Sequence, residues 1–199
     1  HSADSVALGF RDLNDGLETA RAGIDKQVTA TLDEINSNAR ELASLNSSIS
    51  RFQAMGQSPN ELLDRRDLVL QSLSEKIGFS MVIDEAGSAN LVAPGAGMLV
   101  QGEEYSELVA RRTPETEGKA AGSLDIFVKS RNSEKVVTGS ISEGKLGGLL
   151  HVRDKVIDPA LQHLDKLAFE FGTQVNQIHK KGVGSDGNGG RELFKLGEG

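Results

Sequence analysis

The chain has 199 residues, 37% of them apolar and only 4% aromatic, with no Trp and a single Tyr, Tyr105. It is long enough to bury a sizeable core, and that core must be built mostly from Leu, Ile, Val and Ala, a composition suited to helix packing. A net charge of −7 without a clustered basic face argues against a nucleic-acid partner, and the absence of Cys excludes disulfides, thiolate metal sites and a cysteine nucleophile.

No apolar run approaches the ~18 residues that span a bilayer, so no membrane is expected. The start at His1 shows no secretory leader and no initiator Met, which reads as a fragment of a longer protein.

From Leu13 the apolar positions step by three or four through Leu17, Ala20, Ile24, Val28, Leu32, Ile35, Ala39, Leu42, Leu45 and Ile49 to Phe52. This is the pattern of one long amphipathic helix, close to a coiled-coil seam. Arg21, Asp25, Lys26, Asp33, Glu34, Arg40 and Glu41 fall on its solvated face. Gly16 and Gly23 weaken its beginning by about 1 kcal/mol each relative to Ala. At 1.5 Å per residue it would run about 60 Å, which suits a rod.

Gln53 to Gln57, with Gly56, breaks the helix. The stretch Ser58-Pro59-Asn60-Glu61-Leu62-Leu63-Asp64-Arg65-Arg66-Asp67 then restarts it. Ser58 is the expected N-cap and Pro59 the first helical residue, where its missing N–H costs nothing. Glu61 is placed to reach back to the cap and to meet the positive end of the helix dipole, and Arg65 lies four residues after it. Leu62, Leu63, Val69, Leu70, Leu73 and Ile77 form the apolar face, and Gly78 is the expected left-handed stop.

The period then changes to two. Phe79, Met81 and Ile83 alternate, a turn covers 84–90, and further strands are expected at 91–93, 98–101, 108–111, 124–129 and 135–138, with a loop over 113–122 and a hairpin turn over 131–134. Helix resumes near Lys145 and keeps an apolar seam from Leu146 to Ile178. Pro159 should kink or restart it with Asp158 as cap. The Gly-rich segment 182–190 cannot be regular. The expected class is therefore α+β: an elongated bundle of long antiparallel helices, 1–78 and 144–181, with a β-rich domain inserted at 79–143 and a further segment starting at 182. The insertion is expected to hold its own small core.

Three stretches together resemble one family. The Ser58 to Asp67 stretch is similar to a signature of bacterial flagellar hook-associated protein 1. Gly144-Lys145-Leu146-Gly147-Gly148-Leu149-Leu150, followed by Arg153-Asp154, is similar to that family's re-entry into helix after its β domain. The segment Phe169 to His179, then Gly182, Asp186, Asn188-Gly189 and Phe194, resembles its closing segment, with Val175 and Leu193 in place of two Phe residues.

The resemblance implies a secreted structural subunit of the flagellum at the hook-filament junction. Its partners would be the hook protein, the next hook-associated protein and an export chaperone, and this fragment by itself would be monomeric. It implies no enzyme activity and no cofactor, and it assigns no interface residues.

Catalytic and metal chemistries find little support. His151 and His163 lie twelve residues apart, about 18 Å along a helix, too far to share a metal. Asp186-Gly187-Asn188-Gly189 begins like a calcium loop but lacks the later ligands. Asp64 and Asp67 interleave with arginines as a charged face, and neither a phosphate loop nor a Gly-x-Ser-x-Gly elbow occurs. The reading from another class is a helical adhesin or signalling-type coiled coil that presents the β module as a ligand-binding head.

Overall fold

The computed structural model describes residues 2–114, 122–130, 133–182, 190 and 192–195, with the side chains of Ser2 and Ala3 left aside. Four helices, α1 (Ser2–Ala54), α2 (Asn60–Lys76), α3 (Gly144–Val152) and α4 (Asp158–Lys181), enclose seven strands in sequence. These are β1 (Ser80–Ile83), β2 (Ala89–Ala93), β3 (Gly97–Gln101), β4 (Glu104–Tyr105), β5 (Glu107–Arg112), β6 (Leu124–Ser130) and β7 (Ser133–Val136). The class is α+β. Both sheets are antiparallel, ordered β1-β2-β3-β4 and β5-β6-β7.

The chain divides into two compact units. One comprises residues 23–153. Along its part of α1 the seam Val28, Leu32, Ile35, Ala39, Leu42, Leu45 and Ile49 is fully buried. These residues pack with Val69, Leu73 and Ile77 of α2, Leu91, Leu99 and Val100 of the first sheet, Leu108 and Ile126 of the second, and Leu146 and Leu150 of α3, all in one cluster. The expected separate core of a β insertion is therefore corrected: the strands bury their apolar faces on the helices. The boundaries expected at 79 and 143 are not those along which the packing divides. The physical reason is that each sheet is a single layer of three or four strands whose apolar face must be buried against another layer, and the helices supply it.

The other unit comprises residues 1–22 and 154–199. Here Phe10 of α1 stacks tilted on Phe171 of α4, and Phe171 on Phe194, with centroids 6.1 Å apart in both pairs. The α4 face thus meets the beginning of α1. Phe52 is exposed.

Several local expectations shift. α1 ends at Ala54 with Gly56 in the left-handed region, φ +71°, as the break requires. Pro59, not Ser58, occupies the cap of α2, and no side chain caps it; the Pro59 carbonyl accepts from the N–H groups of Leu62 and Leu63, both at 3.0 Å. With the cap at Pro59, Glu61 is the second helical residue and not the third, and the cap offers it no N–H to reach back to. Arg65 turns away from Glu61 and donates to Glu41 of α1 at 2.6 Å. Gly78 is not left-handed. At Pro159 the helix restarts as expected, with the proline in the first turn of α4 after residues 153–157 wind as a π-helical turn; Asp158, however, does not cap it but accepts from Arg21 Nε at 2.8 Å. Asp25 leaves the expected solvated face and is buried.

Candidate functional site

The two signature stretches sit at opposite ends of α2. Ser58, Asn60, Glu61, Asp64 and Asp67 are exposed around its start, with Pro59, Leu62 and Leu63 half-buried. About 24 Å further along the same helix, at 1.5 Å per residue, lies its C-terminal end. There the second stretch folds back on it. Gly144 adopts φ +70°, and a Cβ on it would stand 2.6 Å from the Lys76 carbonyl carbon and 2.7 Å from the Ile77 nitrogen. A Cβ on Gly147 would collide with the Ser142 backbone, and one on Gly78 with the Glu143 side chain. Gly144 and Gly147 are thus small because backbone passes against them, and Gly78 because the Glu143 side chain lies over it. Gly148 has open space around its would-be Cβ. Leu146 and Leu150 point from this contact into the core, and Leu149 is half-buried beside it.

What fixes the strands to the helices is a set of asparagines that the sequence reading missed. Asn46, with 0% of its surface exposed, accepts from the Ala89 N–H at 2.9 Å and donates to the carbonyls of Ala89 and Gly102 at 2.9 and 2.8 Å. Asn36 holds the N–H and carbonyl of Leu108, both at 2.8 Å. In the other unit Asn176 accepts from Leu193 and Phe194 and donates to the Phe194 carbonyl. A primary amide matches one peptide N–H and one C=O, so Asn36 and Asn46 act as strand neighbours projected from a helix. A signal was present for Asn46, which continues the seam in phase between Leu42 and Ile49.

Two charged arrangements complete this unit. Asp25, 7% exposed, pairs with Arg153, 3% exposed, at 3.4 Å and with Arg112 at 3.5 Å. Asp84 organises the β1–β2 turn, accepting from the N–H groups of Ala86 and Ser88 and from the Asn90 amide. Those bonds, the Ser88 N–H first, hold its carboxyl below the usual carboxylate range.

Among the described residues no three His, Asp or Glu side chains come together as a metal cluster, and no helix is long and apolar enough to cross a membrane. The Asp186 to Asn188 calcium candidate lies outside the described residues. A recess of about 460 Å³ beside Met98, Glu103, Glu104 and Tyr105 lies open to solvent.

Residues 1–194 match the family model described as the helical domain of flagellar hook-associated protein FlgK. Flagellar hook-associated protein 1 of Salmonella typhimurium is 34% identical over 205 residues, covering 98% of this chain and 35% of the relative. The protein of the same name from Escherichia coli is 32% identical over 188 residues, covering 87% and 32%. The solved structure of the flagellar hook junction protein FlgK from Burkholderia pseudomallei superposes with a TM-score of 0.86 at 32% identity, over 98% of this chain and 35% of that one. The chain therefore spans about a third of the length of the relatives it matches.

Proposed function

We propose, because this chain belongs to the family of the flagellar hook-associated protein FlgK, that it is the helical segment of a structural subunit that joins hook to filament in the bacterial flagellum. The observation that carries the reading is the family match across residues 1–194, end to end through both signature stretches. A clamped helix-sheet core suits a part that transmits load and does no chemistry, and we read the protein as non-catalytic. The adhesin or signalling alternative has no such support.

On this reading the full-length protein is exported by the flagellar apparatus and works outside the cell. It contacts the hook protein on one side and the next hook-associated protein on the other, and an export chaperone holds it before assembly. Alone, this segment is a monomer. The Ser58 to Asp67 and Gly144 to Leu150 stretches serve to hold the helices in register, not to bind a ligand.

The test is genetic. Removing the gene from its host should leave cells with hooks but no attached filaments, and the full-length gene should restore swimming. Normally flagellated, motile cells after removal would refute the proposal.

A further inference from the structure

Antiparallel sheets have edges, and proteins cover or charge them because an open edge invites another strand. Three of the four edges here are managed. Asn36 occupies the outward N–H and C=O of Leu108 on β5. β4 is two residues long, and β7 carries Glu134 and Lys135. β1 is different: Ser80-Met81-Val82-Ile83 has no charge and no proline, and Met81, Val82 and Ile83 are 45%, 65% and 48% exposed.

The ladder phase says which groups of β1 are open. Ile83 stands opposite Ala89, but Ala89 gives both its N–H and its C=O to Asn46. One step on, Asp84 N–H donates to the Ser88 carbonyl at 3.0 Å. Antiparallel pairs alternate between bonded and non-bonded, so Val82 and Ser80 bond to β2, and the backbone groups of Met81 and Ile83 point out of the sheet. They are spaced by two residues, the repeat of an incoming strand. Asp84 and Glu85, both exposed, follow β1 directly, and exposed Glu143 lies against Gly78 just before it. Acid at both ends of the edge, on a chain of net charge −7, disfavours a second copy and favours a basic partner.

We propose that β1 is a strand-addition site that takes an extended, apolar segment of a partner protein flanked by Lys or Arg. The segment would form its ladder with Met81 and Ile83 and lay side chains beside Val82 on one face and Met81 on the other.

The probe is the acetylated peptide Lys-Thr-Val-Ile-Val-Thr-Lys added to the ¹⁵N-labelled 199-residue chain. Saturable shifts centred on the Ser80 to Ile83 amides are expected. Methylating the peptide nitrogens that face β1 removes about two hydrogen bonds and should weaken binding about tenfold or more. A Glu-flanked peptide should be weaker by a similar factor. Met81→Pro deletes an outward N–H and none of the bonds to β2, so it should abolish binding while the melt is unchanged. Should that variant fold poorly, Val82→Lys, whose side chain is exposed, should repel the basic peptide and supply the same test. In the free chain the Met81 and Ile83 amides should exchange with solvent much faster than that of Val82.

Absence of saturable shifts would overturn the proposal. So would equal binding of the methylated peptide, slow exchange at Met81 and Ile83, or shifts at β1 that follow protein concentration without peptide, which would mean self-pairing. None of these outcomes bears on the role at the junction, which the gene removal tests separately.

Discussion

Replacing Asn46 by Ala should be among the most destabilising single changes in this chain, although it removes only a small polar side chain. The substitution deletes three hydrogen bonds and leaves the Ala89 N–H and C=O in a site from which water is excluded. Each orphaned buried group costs roughly 1–3 kcal/mol, so a loss of about 3–5 kcal/mol is expected. Urea denaturation followed by circular dichroism reads it, with Ser44→Ala on the exposed side of the same helix as the control near zero. Asn46→Asp sharpens the test. The new carboxyl can still accept from Ala89 but, ionised, faces two carbonyl oxygens. Burial and those carbonyls raise its pKa in the folded state above the unfolded value, so its stabilisation is present below the unfolded pKa and is lost as pH rises through the folded one. The deficit relative to the native chain should therefore shrink between pH 7 and about pH 4. A cost below ~1 kcal/mol for Asn46→Ala, or a deficit for Asn46→Asp that grows on acidification, would refute the claim that the first sheet hangs on this amide.

The glycines of the second signature should respond with opposite signs. Gly144→Ala and Gly147→Ala each push a methyl into backbone and should cost several kcal/mol, whereas Gly148→Ala meets open space in a helix and should gain up to about 1 kcal/mol in thermal or urea melts. Asp25→Asn removes the buried carboxylate that both Arg153 and Arg112 face and should destabilise, by up to about 3–5 kcal/mol, while the double change Asp25→Asn, Arg153→Met should cost clearly less than the sum of the single ones. Replacing residues 80–142 by a Gly/Ser linker strips the α1 seam of its sheet partners, so the product should bind a hydrophobic dye and lose its cooperative melt.

The helices were legible because their seams repeat over many turns, and punctuation and alternation led to the break at Gly56 and to strands expected at 91–93, 98–101, 108–111 and 124–129, which lie inside the observed β2, β3, β5 and β6, whereas the strand expected at 135–138 runs instead over Ser133–Val136. What stayed hidden is non-local. Asn36 and Asn46 look like ordinary polar residues on a helix until a strand is brought against them. Asp25 alternates with solvated residues, and nothing nearby in sequence announces Arg153. The glycines at 78 and 144 exchanged roles: both read as punctuation, but Gly78 yields to Glu143 and Gly144 to the end of α2. β4, at two residues, carries no period at all. The cap of α2 moved by one residue because the Pro59 carbonyl, not the Ser58 hydroxyl, meets the free N–H groups. The stretches at 58–67 and 144–150 do not converge on one site; they lie at opposite ends of α2.

Immunogold labelling of the full-length protein on isolated flagella tests the central claim most directly. The account predicts label confined to a narrow band where hook meets filament. Label spread along the filament, or confined to the cell envelope, would contradict it.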